Sequence, residues 1–137
     1  MTERPAALVD TNVLFDVLYD DPAWAEWSTL QLEAAALRGA VAINDIVYAE
    51  LSVRFGTIEA LNETVADMGL VMAPMPRSAL FMAGKVFERY RARGGVRTSI
   101  LPDFMIGAHA TVLDVPLLSR DTRRYRTSFP RLVLVTP

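Results

Sequence analysis

The chain has 137 residues, of which 52% are hydrophobic, and it contains no cysteine. This length and composition favour one folded domain over residues 1–137 and exclude disulfides, thiolate metal sites and a cysteine nucleophile. No apolar stretch is long enough to span a membrane and the first residues lack the apolar core of a signal peptide, so we expect a cytoplasmic protein without a membrane partner.

The net charge of −2 is distributed unevenly along the chain. Residues 1–76 hold 3 basic and 12 acidic side chains, whereas residues 77–137 hold 11 basic and 4 acidic ones. Of the 14 basic residues 13 are arginine, a side chain that suits bidentate phosphate contacts. The basic half is compatible with a polyanion partner, although ordinary solvated surface charge explains it equally well.

Short apolar runs alternate with stretches of helical periodicity along the chain. Strands are predicted at 6–9, 41–43, 70–72, 115–119 and 132–135, and helices at 11–18, 23–38, 44–55, 57–68, 76–93 and 103–113. The segment 94–102 is predicted as a loop and Asp121 as part of a turn. Strands that alternate with helices predict an α/β fold with a mostly parallel sheet and helices on both faces.

Two acidic residues follow directly after predicted strands. Asp10 ends the first strand, and Asp121 follows the strand at 115–119. The carboxyl ends of parallel strands are where α/β proteins bind ligands. Each residue also has an ordinary explanation, because aspartate is a common helix N-cap and a common turn residue.

Two further acids lie on predicted helices. Glu50 falls on the apolar side of its helix, where a glutamate requires a partner, either a cation or Arg54 four residues later. Asp103 begins a helix and shares one face with small residues such as Gly107, which permit close approach of backbone or ligand. An N-cap is again the ordinary explanation for Asp103.

The four acids together predict a metal site. Each falls near the end of an element that a parallel sheet could direct to one side, and two carboxylates about 4 Å apart repel by several kcal/mol at an effective dielectric constant of about 20. A divalent cation would neutralise this repulsion. Oxygen ligands without cysteine or clustered histidine favour Mg²⁺ or Mn²⁺, and the sole histidine, His109, is predicted to pack in the interior or lie at the surface.

Four short motifs in this order resemble those of PIN-domain ribonucleases. They are VDTNVL at 9–14, NDIVYAEL at 44–51, LPDFMIGAHA at 101–110 and LLSRDTRRY at 117–125. The sequence is most similar to the VapC toxins of VapBC toxin–antitoxin pairs.

The resemblance implies a PIN-like three-layer α/β/α fold and a role for six residues. Asp10, Glu50, Asp103 and Asp121 would form the catalytic acidic quartet that holds Mg²⁺ or Mn²⁺. Thr11 and Asn12 would support the site without reacting.

The function implied is endonucleolytic hydrolysis of RNA phosphodiester bonds by a water molecule that the metal activates. Arg97, Arg120, Arg123 and Arg124 lie in or near the predicted loops and would contact RNA phosphates, although a solvated basic turn is an equally good explanation. A housekeeping RNA-processing nuclease of the PIN type is the nearest alternative.

Two other classes fit the sequence less well. A haloacid-dehalogenase-type phosphatase requires a second acid two residues after the first, where this chain has Asn12. A receiver-like signalling module that binds Mg²⁺ requires an acidic pair before its first helix and a late lysine, whereas the only lysine is Lys85.

The helix predicted at 23–38 has more apolar positions than one core-facing stripe requires. Either it is deeply buried, or it offers a groove to an antitoxin segment or to a second copy of the chain. The family resemblance implies both a VapB-type antitoxin and a homodimer.

Overall fold

The computed structural model describes residues 4–137, with Thr98 described in its backbone alone. Within these residues five β-strands alternate with seven α-helices. The strands are β1 (Ala7–Val9), β2 (Val41–Ile43), β3 (Leu70–Met72), β4 (Leu117–Leu118) and β5 (Leu134–Val135). The helices are α1 (Thr11–Leu18), α2 (Ala25–Arg38), α3 (Asp45–Ser52), α4 (Ile58–Asp67), α5 (Arg77–Ala92), α6 (Leu101–Leu113) and α7 (Thr122–Ser128), with a 3₁₀ turn at Thr98–Ile100.

All strand pairs are parallel, and the strand order is β3-β2-β1-β4-β5. Strands β1 and β2 are completely buried, as their uninterrupted apolar runs require of a sheet covered on both faces. The predicted α/β fold, a parallel sheet flanked by helices, is confirmed.

The chain reverses direction across the sheet after β3. It moves outward from β1 to β3, returns to β4 on the other side of β1, and ends at β5. Since crossovers between parallel strands are right-handed, the connections before and after this reversal cover opposite faces. Within each set the helices pack together, since α1 contacts α2 and α3 and α6 contacts α5 and α7, while α3 also contacts α6. A crevice therefore opens between the carboxyl ends of β1 and β4, where such folds bind ligands.

Most predicted element bounds agree with the structure within two residues, but one helix was missed and one helix start was wrong. Residues 122–128 form the helix α7, where no helix was predicted. Helix α6 begins at Leu101, inside the predicted loop, so Asp103 lies in its first turn and does not cap it.

Helix α2 is not deeply buried. Within it only Ser28 and Ala35 are buried, whereas Leu30 is 55% and Leu37 90% exposed. This removes one of the two explanations for its excess of apolar residues. No helix in the described part of the chain combines the length and apolar character needed to cross a membrane.

Candidate active site

Asp10 lies at the carboxyl end of the central strand β1 and is buried. It occupies the N-cap position of α1, and its Oδ1 accepts the Thr11 backbone N–H at 2.8 Å. Its Oδ2 accepts the hydroxyls of Ser119 at 2.8 Å and Tyr125 at 2.9 Å. Burial nevertheless raises the pKa of Asp10 above its usual value, because desolvation outweighs these hydrogen bonds. An N-cap role alone does not require two hydroxyl donors from distant segments.

Glu50 projects from α3 toward the start of α1 and is half-buried. Its Oε1 accepts the Thr11 hydroxyl at 2.7 Å, and burial raises its pKa. The expected ordinary partner, Arg54, is directed elsewhere, since its guanidinium lies over the rings of Phe15 and Tyr19 at 6.0 and 5.7 Å. Among the described residues no cation lies within ion-pair distance of Glu50, and the nearby charge of Asp10 raises its pKa further.

Asp103 and Asp121 share one cation. The guanidinium of Arg124 hydrogen-bonds the carboxylate of Asp103, and its Nε lies 3.0 Å from Oδ2 of Asp121. The pKa of Asp103 is nevertheless raised to about 6, chiefly by burial and further by the charges of Asp10 and Glu50, although Arg124 opposes the shift. Asp121 occupies the N-cap position of α7, but its side chain makes no capping hydrogen bond.

The four acids line one open cavity of about 400 Å³ at the crevice between β1 and β4. The other residues that line this cavity are Thr11, Asn12, Phe15, Val53, Arg54 and Arg124. Sequence reasoning placed the four acids on one side of the sheet, and the structure brings them together. His109 is fully buried beside Asn44 and does not line this cavity.

The donor set suits a hard divalent cation. It consists of carboxylate oxygens, three of them on side chains whose pKa is raised by burial, so the charged forms are disfavoured until a cation arrives. Among residues 4–137 no three acidic or histidine side chains stand close enough to form a metal site as they are. Asp103 and Asp121 instead turn to Arg124, which supplies a positive charge in this arrangement.

Two residues that sequence reasoning missed orient the site. The Ser119 hydroxyl donates to Asp10 and its oxygen accepts the backbone N–H of Asp121 at 2.9 Å. Tyr125, buried on α7, donates its hydroxyl to Asp10, and burial raises its pKa so that this proton is retained. Asn12 adds a third link, because it accepts the Arg120 backbone N–H at 3.1 Å and donates to Ser119 at 3.3 Å.

A buried ion pair fixes the loop before Asp121. Arg120 donates Nε and Nη2 to the two carboxylate oxygens of Asp16 at 2.6 and 2.9 Å. The Ser28 hydroxyl also donates to Asp16, at 2.7 Å, and the Arg120 guanidinium lies 5.2 Å from the ring centroid of Trp24. These contacts tie α1, α2 and the β4–α7 loop together, and nothing in the sequence spacing indicated Asp16.

The four arginines predicted to contact RNA lie in different settings. Arg120 is held by Asp16, and Arg124 lies among the acids. Arg123 and Arg97 are exposed, and the backbone N–H of Arg97 donates to the Tyr90 hydroxyl at 3.0 Å. Arg123 and Arg97 thus keep their side chains toward solvent at the surface.

This protein has a parallel sheet with an acidic cavity at the point where the strand order reverses. It therefore belongs to the class of α/β proteins that bind ligands at the carboxyl ends of their strands. A sequence model of the PIN domain matches residues 7–130. The chain belongs to the PIN domain family, and the predicted resemblance is confirmed. PIN domains are nucleases and generally depend on a divalent metal.

Solved structures share the fold over almost the whole chain. A chain of VapBC2 from Rickettsia felis bound to a promoter DNA fragment is 19% identical, with a TM-score of 0.74 and coverage of 96% of this chain and 98% of that one. A chain of a toxin–antitoxin complex from Klebsiella pneumoniae is 23% identical, with a TM-score of 0.68 and coverage of 96% of this chain and 97% of that one. A chain of VapBC-1 from nontypeable Haemophilus influenzae is 17% identical, with a TM-score of 0.69 and coverage of 95% of this chain and 96% of that one. Identities this low show a common fold. No protein of curated function matches the sequence significantly.

Proposed function

We propose that this protein is a Mg²⁺- or Mn²⁺-dependent endoribonuclease that acts in the cytoplasm as the VapC-type toxin of a toxin–antitoxin pair. The observation that carries the proposal is the convergence of Asp10, Glu50, Asp103 and Asp121 on one cavity in a chain of the PIN family. These four side chains would hold the metal, and Asp103 and Asp121 would then give up their contacts with Arg124 to bind it.

A bound divalent ion supplies two things to phosphodiester hydrolysis, a lowered pKa for the attacking water and neutralisation of the charge that develops on the phosphate. The remaining work falls to the chain's own side chains. Ser119 and Tyr125 fix the carboxylate of Asp10, and Thr11 fixes that of Glu50. Arg124 carries N–H donors that fit a phosphate in the same cavity.

Water is the nucleophile that the cavity favours. In the described part of the chain its lining includes no histidine or lysine, and the hydroxyl of Thr11 is committed to Glu50. Direct attack by water leaves the 2′-hydroxyl of RNA unreacted, so the products should carry 5′-phosphate and 3′-hydroxyl ends.

The geometry argues against a haloacid-dehalogenase-type phosphatase and against a receiver-like signalling module. Asn12 bridges Asp10, Ser119 and the Arg120 backbone, a supporting role unlike that of the second acid of a haloacid-dehalogenase-type phosphatase. Lys85 pairs with Glu88 on the exposed surface of α5 and does not line the cavity, whereas a receiver needs its late lysine at the acids. A housekeeping PIN nuclease shares this site and differs only in its partners.

A polypeptide partner is proposed from the surface of α2. Leu30 and Leu37 are exposed there, and the similar structures from Rickettsia felis and Haemophilus influenzae are VapBC structures. We therefore include a VapB-type antitoxin and a second copy of the chain among the partners. A small reading frame with a DNA-binding start next to this gene would favour the toxin role over RNA processing.

The test is cleavage of labelled RNA by the purified chain with Mg²⁺, Mn²⁺ or EDTA. Asp10→Asn and Asp103→Asn should each reduce cleavage by orders of magnitude. Asp114→Asn is the matched control, because Asp114 ends the same helix as Asp103, does not line the cavity, and adopts a left-handed conformation that asparagine tolerates. Chelator-resistant cleavage, or full activity in both site variants, would refute the metal mechanism.

A further inference from the structure

A row of neighbouring planar side chains leads from the acidic cavity to the surface. We propose that Phe15, Tyr19 and Arg54 form a stacking strip that holds an unpaired base of the RNA strand next to the scissile phosphate. This inference rests on the proposed function, since it names the form of RNA that the site accepts.

The strip follows from residue spacing on two helices. Thr11, Phe15 and Tyr19 recur every fourth residue, so they lie along one side of α1 and its C-cap, and the row extends about 12 Å at 1.5 Å per residue. Arg54 lies four residues after Glu50, in the turn that follows α3. The hydrogen bond between Thr11 and Glu50 joins the two rows at the cavity, and Arg54 joins them again over the rings of the aromatic pair.

The strip is continuous with the site and open to solvent. Phe15 and Arg54 line the same cavity as the acids, and the ring of Tyr19 follows with its centroid 5.6 Å from that of Phe15. Tyr19 is 55% exposed. An aromatic side chain this accessible, in line with a catalytic cavity, offers a face to a planar ligand.

Arg54 gives the strip its charge. Within residues 4–137 no carboxylate lies within ion-pair distance of its guanidinium, although Glu50 is one helical turn away. The guanidinium can therefore pair with a phosphate while its plane, like the rings, stacks with a base. The acids repel RNA, so a cation at the mouth of their cavity also offsets part of that repulsion.

These features favour an unpaired strand. Aromatic and guanidinium faces that stack bases are the usual way in which proteins hold single-stranded RNA, whereas bases in a duplex are already stacked and out of reach. An apolar polypeptide segment would bury the two rings but would not use the unpaired cation of Arg54. The strip therefore suits a base with its phosphate better than it suits a peptide.

The test is binding without cleavage. The Asp103→Asn protein in Mg²⁺ is titrated with a short single-stranded RNA that carries a fluorescent purine analogue, and with the same strand annealed to its complement. Adding Tyr19→Ala should raise the Kd for the single strand about tenfold, or about 1.4 kcal/mol, within the range for loss of one stacked base. Tyr19→Phe, which keeps the ring, should restore affinity to within about twofold, and neither change should affect the duplex.

Phe81→Ala is the matched control, because Phe81 is an exposed aromatic residue on α5 with Lys85 over its ring at 5.4 Å, and it does not line the cavity. Its affinity for RNA should not change. Three results would each overturn the proposal: equal Kd values for Tyr19→Ala and its parent, an equal loss of RNA affinity in Phe81→Ala, or no detectable binding of the single strand. The first result would indicate that the strip binds a polypeptide and not RNA. If binding depends on Tyr19 but the wild-type chain cleaves no RNA, the strip stands and the proposed function fails.

Discussion

The buried ion pair between Asp16 and Arg120 predicts an asymmetric response to mutation. The Asp16 side chain is only 3% exposed, whereas that of Arg120 is 29% exposed. Removing Arg120 leaves a carboxylate that water cannot reach, and breaking a buried pair in this way typically costs about 3–5 kcal/mol. Removing the charge of Asp16 leaves a guanidinium that can turn toward solvent, so about 1–2 kcal/mol should be lost with the hydrogen bonds.

We expect Arg120→Met to lower the free energy of unfolding by about 3–5 kcal/mol and Asp16→Asn by about 1–2 kcal/mol, measured by urea unfolding with circular dichroism. The total free energy of unfolding of a domain of this kind is about 5–15 kcal/mol, so the loss expected for Arg120→Met is a large part of its stability. The double variant should lose less than the two single losses combined, by about 1–3 kcal/mol. Arg123→Met, at the exposed neighbouring arginine, should stay within about 0.5 kcal/mol of wild type.

The same pair should also affect metal binding, because Asp121 follows Arg120 directly and the loop is fixed through Asn12 and Ser119. Loss of a side chain that orients a ligand typically weakens metal affinity about 10- to 100-fold. Calorimetric titration of Arg120→Met with Mn²⁺ should therefore show a weaker Kd in the folded protein. Equal losses of stability in both single variants, or additive losses in the double variant, would refute the reasoning about burial. An unchanged Kd for Mn²⁺ would show that the pair serves the fold alone.

Three further results are expected. Arg124→Gln should destabilise the metal-free protein by about 1–3 kcal/mol, because Asp103 loses its cation, and should tighten Mn²⁺ binding severalfold; unchanged Mn²⁺ affinity in calorimetry would contradict this. Since the pKa of Asp103 is raised from 3.8 to about 6, the folded chain keeps a proton that the unfolded chain loses. The free energy of unfolding in EDTA should therefore fall by up to about 3 kcal/mol as the pH rises from 3.8 to about 6, while Mn²⁺ affinity rises. A free energy of unfolding that rises over this interval would show that the predicted direction is wrong. Gly107→Ala should cost about 1–3 kcal/mol in urea unfolding, because a Cβ would lie 2.6 Å from the ring of Phe129, whereas Gly84→Ala, with no neighbouring atom within 4 Å, should cost nothing.

The positions of the four acids could be predicted because they depend on topology. In a parallel sheet the strands end at one edge, so Asp10 and Asp121 had to approach each other once their strands were recognised. Glu50 was indicated by its place on the apolar side of a helix, where a charge requires a purpose. None of these inferences needed side-chain detail.

Helix α7 could not be predicted because its sequence has almost no apolar periodicity. Of Thr122–Ser128 only Tyr125 is buried, and the helix packs on α6 at Gly107, beside Phe129. Tertiary packing over a glycine thus determines the helix, and with it the hydroxyl that reaches Asp10. No pattern within the segment itself carries this information.

The choice of ion-pair partners was also outside what the sequence could supply. Spacing favoured Arg54 for Glu50, four residues apart on the helix predicted at 44–55, yet α3 ends at Ser52, Arg54 lies over two aromatic rings and Glu50 accepts a threonine hydroxyl. Arg124 instead reaches Asp103, which is 21 residues away. Local spacing is worth only about 0.2–0.5 kcal/mol on a helix surface, so tertiary contacts easily override it.

Charge balance connects the stability of this site to its chemistry. One guanidinium, that of Arg124, faces two of the four acids, whereas burial, with a smaller contribution from a neighbouring carboxylate, raises the pKa of each of the other two, Asp10 and Glu50. Protons can compensate only at low pH, and each costs the site a ligand oxygen. A divalent cation neutralises two charges without protonating any carboxylate. In the proposed metal site the cluster should therefore destabilise the metal-free fold in the pH range where its carboxylates can bind metal, so we expect stability and metal affinity to change in opposite directions with pH.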